Sequence, residues 1–335
     1  MKTPVREEIL PLLADLNGER FDAAALAVFH YQAANNPFYA KYLELLNRGS
    51  NVESRRSSVI SDIPFLPIQF FKTQEIRTGL WNPQTVFSSS ATTGQKPSRH
   101  FVRDADFYLK NAQRGFAQFY GDPSEWRILA LLPSYLEREG SSLVAMADHF
   151  IKISKHPESG FFLHDLERLR DTLVHCKSNN YKTLLLGVSF ALLDFAEQFP
   201  MNLSGITVME TGGMKGRRRE LTRTELHDIL REAFHLTGIH SEYGMTELFS
   251  QAYAHGGSLF IPAPTLRVLA TEIHDPFCPV APGRTGVLNM IDLANLDTCS
   301  FIQTDDVGKV YADGRFEVLG RLDAAEMRGC NLMVE

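Results

Sequence analysis

The sequence predicts an α/β protein that begins in helices and ends in β structure. Three observations support this. Between residues 127 and 235, short apolar runs alternate with longer amphipathic ones. That is the pattern of strand–loop–helix units around a mostly parallel sheet with helices on both faces. Before residue 60, apolar residues recur at three- and four-residue steps, as on one face of a helix. After Glu247, prolines cluster at 262, 264, 276, 279 and 282, and short runs are parted by turns such as Asp313-Gly314. This last texture reads as antiparallel β.

Taken in order, residues 23–31 and 39–46 carry the helical spacing. Pro64 and Pro67 break it. Residues 63–71 therefore read as an extended, aromatic-rich linker, because proline disfavours helix in the residue before it. Residues 86–99 are the most Ser/Thr-rich of the chain. A helix is expected over 104–119, with Asp104 as its N-cap. Strands follow at 127–132, 182–188 and 205–210, and helices at 142–153, 163–176, 191–198 and 222–235. Beyond these, short strands are expected at 265–270, 286–291, 300–304, 308–311 and 315–319. The expected organisation is a helical segment and linker over 1–80, an α/β core over 81–262 and a β-rich subdomain over 263–335.

Composition narrows the function. At 335 residues the chain is longer than one hydrophobic core normally serves. Hydrophobic residues at 44% and charged residues at 22% exclude a disordered chain. The 40 acidic residues outnumber the 34 basic ones, so no overall positive field draws the protein to nucleic acid or anionic lipid. Cysteines stand at 176, 278, 299 and 330, without C-x-x-C or zinc spacing, and free thiols suit a reducing cytoplasm. The N-terminus lacks a basic region followed by an apolar run, so no signal peptide is expected. The most apolar stretch, 184–195, is too short for a membrane span. The eleven histidines show no H-E-x-x-H spacing, and no structural metal is expected.

Three motifs carry candidate chemistry. The first is Phe87-Ser88-Ser89-Ser90-Ala91-Thr92-Thr93-Gly94-Gln95-Lys96-Pro97. Small side chains let backbone approach a ligand, hydroxyls and N–H groups donate to phosphate oxygens, and a lysine adds charge. The Walker spacing is absent, and a flexible linker has the same composition. The second is Glu242-Tyr243-Gly244-Met245-Thr246-Glu247, in which a tyrosine can stack on a purine, a threonine can bind phosphate and a carboxylate can hold Mg²⁺. An ordinary turn is the alternative. The third joins Thr304-Asp305-Asp306 to Gly320-Arg321-Leu322-Asp323 and Arg328-Gly329. A carboxylate there can bind ribose hydroxyls, although hairpin turns also favour Asp and Gly.

Two further segments have competing readings. Gly187-Val188-Ser189-Phe190-Ala191 approaches the nucleophile elbow of serine hydrolases, with His240 or His274 as the base, but its last glycine is replaced by alanine. Lys215-Gly216-Arg217-Arg218-Arg219 either steers an anion or begins a solvated helix.

In their order and spacing the three motifs resemble those of the adenylate-forming (ANL) superfamily, which includes acyl-CoA synthetases, peptide-synthetase adenylation domains and firefly-type luciferases. The tyrosine–glycine–threonine–glutamate motif is intact, and Thr211-Gly212-Gly213 fits the glycine turn beside adenine. Within the superfamily the chain looks most like the acyl-protein synthetases of bacterial luminescence, the LuxE branch, with phenylacetate-CoA ligase next. That closer resemblance rests on Ile63-Pro64-Phe65-Leu66-Pro67-Ile68-Gln69-Phe70-Phe71-Lys72, on Pro133-Ser134-Tyr135-Leu136-Glu137-Arg138, and on Arg328-Gly329-Cys330-Asn331-Leu332. Departures are Ala91 in the phosphate loop and the inverted order Lys96-Pro97.

The resemblance implies an adenylate-forming domain of two parallel-sheet lobes with a β-rich C-terminal subdomain, ending near its hinge without a C-terminal cap domain. It implies ATP and Mg²⁺ as cofactors and a fatty or other carboxylic acid as substrate. Ser89, Ser90, Thr92, Thr93, Gly94 and Lys96 take the phosphates. Gly212, Gly213, Tyr243 and Gly244 take the adenine, Asp306 the ribose, and Arg321 lies at the hinge. Thr246 and Glu247 take the α-phosphate and Mg²⁺, and Val188, Ser189 and Phe190 line the acyl pocket. Cys330 accepts the acyl group as a thioester, and an acyl reductase, carrier or transferase protein then receives it. A phenylacetate-type acyl-CoA ligase is the alternative, and a serine hydrolase or a non-catalytic nucleotide-binding module is a more distant one.

Overall fold

Three helices open the chain: α1 (Arg6–Ala14), α2 (Gly18–Asn35) and α3 (Pro37–Asn47). The structure, a computed structural model, describes residues 3–14, 16, 18–47, 59–89, 96–133, 140–212 and 221–322. Helix α2 buries Phe21, Ala24, Ala25, Val28, Phe29 and Gln32, the three- and four-residue spacing seen in the sequence. Asn36 parts α2 from α3; its Oδ1 accepts from the Tyr39 N–H at 3.0 Å, and Pro37 supplies a helix-ready φ. The proline-rich segment that follows is seated structure, with strand β1 (Leu66–Pro67) and the short helix α4 (Phe70–Thr73). It is held because Tyr39 Oη donates to the Pro64 carbonyl at 2.5 Å and Tyr42 Oη to that of Phe65 at 3.0 Å.

Strands β2 (Thr85–Ser88) and β3 (Arg99–Val102) form an antiparallel hairpin that the sequence did not announce. Helix α5 (Ala105–Tyr120) starts as expected, with Asp104 accepting from the Phe107 N–H at 3.0 Å. Strand–helix units follow: β4 (Arg127–Leu131), α6 (Ser142–Ser154), β5 (Gly160–Phe161), α7 (Leu166–Ser178), β6 (Thr183–Val188), α8 (Ser189–Gln198), β7 (Thr207–Thr211), α9 (Arg223–Phe234), β8 (His240–Tyr243), β9 (Ala252–Ala254) and β10 (Ile261–Pro262). They build one seven-stranded sheet in the order β10-β9-β8-β7-β6-β4-β5. Its strands from β5 to β8 run parallel, and β9 and β10 are antiparallel additions. Strand β6 is buried along its whole length, which is why Thr183-Leu184-Leu185-Leu186-Gly187-Val188 reads as an unbroken apolar run.

The chain then makes β11 (Leu266–Thr271), β12 (Thr285–Asp292), β13 (Phe301–Val310) and β14 (Phe316–Arg321). These pair antiparallel in the order β13-β12-β11, with β14 on β13 and β1 joining β13 in parallel. The runs at 300–304 and 308–311 fuse into one strand, because the aspartates between them pair across the sheet instead of turning: Asp306 lies opposite Arg321. Where two parallel lobes were expected, the described residues hold one sheet with a parallel centre, one that is largely antiparallel, and the two-stranded β2–β3 hairpin.

Two compact units result, Met1–Trp81 with Pro264–Glu335, and Asn82–Ala263. In the first, rings of Phe29, Tyr39, Phe65 and Phe301 pack together, with Phe29 and Phe301 edge-on at 5.9 Å. Gln32, fully buried on α2, donates to the Asn295 and Leu296 carbonyls at 3.0 and 3.1 Å and accepts from the Ser300 N–H at 2.9 Å. Burying an amide costs free energy unless it is bonded, so these contacts fix α2 against the 295–300 turn. Among the described residues no helix is long and apolar enough to cross a membrane.

Candidate active site

Ligands of open parallel sheets bind beyond the carboxyl ends of the strands. In the second unit, the carboxyl ends of β6, β7 and β8 carry three of the segments selected from sequence. Strand β7 ends at Thr211 and turns at Gly212, whose φ of 68° disfavours any side chain. The Gly212 carbonyl accepts from Ser189 Oγ at 2.7 Å, which ties the β6–α8 turn to the β7 turn. Thr211 Oγ1 donates to Glu242 Oε2, tying β7 to β8. Glu242 is buried, and that burial, reinforced by Glu210, raises its carboxyl to about 7, although the Thr211 bond opposes the shift.

Strand β8 ends at Tyr243, which is buried against Phe260 with ring centroids 5.6 Å apart. A Cβ on Gly244 would stand 2.5 Å from Glu242 Oε1, so the tyrosine–glycine step depends on that glycine. Thr246 is half-buried and Glu247 is buried in the turn that follows. His100, on β3, sets this turn: its Nδ1 lies 2.8 Å from the Thr246 carbonyl. A carbonyl only accepts, so Nδ1 carries the proton. Complete burial lowers the His100 pKa to about 4, and the ring packs on Phe249 at 4.7 Å. The hairpin bearing the candidate phosphate loop is thereby bonded to the tyrosine–glycine–threonine–glutamate turn.

At the loop itself, Ser89 and Ser98 clasp the two ends. The Ser89 N–H donates to the Ser98 carbonyl at 3.2 Å, and Ser89 Oγ accepts from the Ser98 N–H at 2.9 Å. Lys96 is exposed beside this clasp. Ser90, Thr92, Thr93 and Gly94 lie outside the described residues, as do Gly213, the basic run 215–219 and Cys330.

Val188, Ser189 and Phe190 are all buried. Ser189 Oγ faces Glu210 at 3.4 Å as well as the Gly212 carbonyl. Among the described residues its hydroxyl bonds to no imidazole, and His240 Nδ1 is instead 3.0 Å from Tyr120 Oη. Glu210 Oε1 lies 3.5 Å from His227 Nε2, which places the carboxylate between serine and imidazole. That is the wrong order for a base-activated serine.

In the first unit, the structure brings Asp306 and Arg321 together. Asp306 Oδ1 lies 3.2 Å from Arg321 Nε, and its N–H donates to Thr304 Oγ1 at 3.0 Å. Asp306 is buried while Arg321 is exposed, a carboxylate held at a strand face by a solvent-side guanidinium. Gln69 Nε2 donates to the neighbouring Asp305, so the proline-rich segment also braces this motif. If Asp306 holds ribose hydroxyls, Asp306→Asn raises the KM for ATP by roughly tenfold with kcat little changed, measured by steady-state kinetics.

Of the other thiols, Cys299 is buried and pushed up to about 12, Cys176 is buried and raised, and Cys278 is exposed. The first unit also has an open apolar pocket of about 930 Å³, lined by Pro64, Val268, Ala270, Phe277 and Val280 among others. None of the candidate catalytic, nucleotide or acyl-pocket residues is among those that line it, so its size alone does not make it the reaction site.

Sequence reasoning did not select His100 or Ser98 as site residues. The signal was slight: one histidine in the four-residue run Arg99-His100-Phe101-Val102.

No protein-family model matches the chain, and no curated protein sequence does. Solved structures do match. A 2-hydroxyisobutyryl-CoA ligase in the postadenylation state superposes with a TM-score of 0.64 over 96% of this chain and 72% of its own, at 14% identity. The same ligase in an open conformation with 2-HIB-AMP and CoA gives 0.63 over 96% and 80%, at 13% identity. The chain has the adenylate-forming fold. ATP-bound MatB from Rhodopseudomonas palustris shares this fold at a TM-score of 0.54 and 14% identity over 70% of this chain. The chain spans about half the length of MatB, matching 47% of it. In the adenylate-forming fold seen here, the Tyr243–Glu247 turn and the Thr211-Gly212 turn share one end of the sheet.

Proposed function

We propose that the protein activates a carboxylic acid with ATP as an acyl-adenylate and passes the acyl group to a thiol, its own Cys330, as an acyl-protein synthetase of the LuxE type does. One observation supports this above the others. An intact Tyr243-Gly244-Met245-Thr246-Glu247 motif sits in an adenylate-forming fold, bonded through His100 to the hairpin of the Ser/Thr-rich loop and through Glu242 to the Thr211-Gly212 turn.

In the first step a carboxylate oxygen of the acid attacks the α-phosphorus. The bond to the bridging α–β oxygen breaks and pyrophosphate leaves. Ser89, Ser90, Thr92, Thr93, Gly94 and Lys96 hold phosphates, Thr246 the α-phosphate, Tyr243, Gly212, Gly213 and Gly244 the adenine, and Asp306 with Arg321 the ribose side. Glu247 fits an Mg²⁺ bound mainly through phosphate and water, which needs one or two carboxylates. Bound there, Mg²⁺ supplies charge that offsets the phosphates. Val188, Ser189 and Phe190 wall the acyl chain. In the second step the thiolate attacks the acyl carbonyl, the mixed anhydride C–O bond breaks, and AMP leaves. The neighbouring Arg328 favours the thiolate. The acyl group is then offered to a reductase, carrier or transferase protein in the cytoplasm.

A second reading has a specific observation behind it. A ligase of this fold is seen with both an acyl-adenylate and CoA, which favours free CoA as acceptor. Intact-mass analysis after incubation with ATP and a panel of fatty and aromatic acids separates the two. A hydroxylamine-sensitive acyl adduct that vanishes in Cys330→Ala is the expected result. An adduct that survives Cys330→Ala, or turnover only with CoA present, overturns the acceptor assignment.

A further inference from the structure

We propose that Glu242 is a positioning residue that locks the Thr211-Gly212 and Tyr243-Gly244 turns into one ledge for the nucleotide. This rests on the adenylating reading of that site and adds to it a residue which touches neither substrate. Thr211, Glu242 and Tyr253 lie directly opposite one another on β7, β8 and β9, so their side chains form one row on one face of the sheet. All three are buried. The row ends at the carboxyl edge of the parallel strands, where the two glycine turns begin.

From there the Glu242 carboxyl reaches both turns. Oε2 accepts from Thr211 Oγ1, and Oε1 lies where a side chain on Gly244 would have to go. One carboxyl thereby meets the residue before Gly212 and the glycine after Tyr243. An apolar residue of this size would fill the space without desolvation cost, but it would give no directional bond between the strands. Nearby, Tyr253 Oη and Gln251 Oε1 are buried with no hydrogen-bond partner among the described residues, so the row is polar at a depth where polarity is costly.

The arrangement has a titration signature. Burial brings the Glu242 carboxyl to about 7. Several charged or titratable groups surround it. Glu210 lies on β7, with Arg223 and His227 of α9 each 3.5 Å from it. Tyr253 lies on β9, and Tyr108 and Tyr120 of α5 surround Tyr253. As pH rises through 7, Glu242 gains a negative charge beneath the ledge, and binding of an anionic nucleotide weakens.

The test measures ATP binding by calorimetry, and KM and kcat for adenylation, in the full chain between pH 6 and 8.5. Glu242→Leu and Thr211→Val each break the bond and are expected to weaken ATP binding roughly tenfold with kcat little changed. The double variant is expected to be no weaker than the worse single one, because both remove the same bond. Glu242→Gln and Thr211→Ser keep an acceptor and a donor and are expected to bind ATP as the parent does at pH 7. The parent loses affinity as pH rises and Glu242→Gln does not. Parent-like ATP binding in Glu242→Leu and Thr211→Val, losses that multiply in the double variant, or an unaltered pH step in Glu242→Gln would overturn the proposal. If Glu242→Leu does not fold, Thr211→Val and the Glu242→Gln pH profile decide it. A parent protein that binds no ATP refutes the adenylating reading and this proposal together, and that result is seen before any variant is made.

Discussion

Glu247→Gln is expected to lower kcat for acyl-adenylate formation by about a hundredfold to a thousandfold, the size of effect seen when one charge-stabilising group is removed from a preorganised site. The carboxylate is buried in the turn after β8, and in the adenylating reading it holds Mg²⁺, which takes one or two carboxylates together with phosphate oxygens. Glutamine keeps the shape and removes the charge. KM for ATP is expected to rise less than kcat falls, because the charge is needed most as pyrophosphate leaves. The check is initial-rate release of AMP and pyrophosphate over a range of Mg²⁺ concentrations. Excess Mg²⁺ should recover part of the loss. A rate within fivefold of the parent would remove Glu247 from the reaction.

His100→Leu is expected to destabilise the second unit by about 1–3 kcal/mol at pH 7, the cost of taking the donor from the Thr246 carbonyl. It should also lower adenylation, since Thr246 and Glu247 share the turn that His100 holds. The pH dependence identifies the cause. Burial depresses the folded-state pKa of His100 from 6.5 to about 4. Between those values the unfolded chain takes up a proton that the folded one refuses, so stability is lost as pH falls from about 6.5 towards 4. For His100 this amounts to roughly 3 kcal/mol across the window. The leucine variant has no such loss, so the gap between the two proteins should close on acidification. Glu242, raised towards 7, contributes in the opposite direction, gaining stability as pH falls from about 7 to 4.5, but it does so equally in both proteins. Urea titrations of both at pH 7 and pH 4.5 provide the measurement. A gap that stays constant with pH would mean that His100 is not buried neutral.

What the sequence made readable follows from which forces are local. Helix α5 was placed to within a residue because Asp104 caps it and its apolar spacing is regular. The central strands were found because a fully buried strand such as β6 is apolar throughout. Strand β13 was split in two because Asp305 and Asp306 have the composition of a turn, and only their bonding to the end of β14, Asp306 opposite Arg321 and the Asp305 carbonyl accepting from the Leu322 N–H, makes them strand. The proline-rich segment read as a linker because nothing local shows that hydroxyls of Tyr39 and Tyr42 on α3 will hold its carbonyls.

The candidate site divides in the same way. Tyr243, Glu247 and Asp306 were selected from the order and spacing of three motifs and from the resemblance those motifs carry. His100 was missed because its role depends on a bond across 146 positions of sequence. Glu242 was noted only as the residue before the tyrosine; its bond to Thr211 exists because β7 and β8 are neighbours in the sheet. Ser189 drew attention as a possible nucleophile, and the fold gives its hydroxyl to the Gly212 carbonyl. Tertiary pairing, which a single sequence does not display, decides each of these cases.

The central claim is that this chain forms acyl-adenylates, and acid-dependent exchange of labelled pyrophosphate into ATP tests it most directly. Exchange depends on reversible adenylation and on nothing later, so it is independent of whether Cys330, CoA or a carrier protein takes the acyl group. Exchange with at least one fatty, aromatic or short hydroxy acid, lowered about a hundredfold or more in Glu247→Gln, is the expected result. A folded protein that binds ATP yet shows no exchange with any acid in the panel would contradict it.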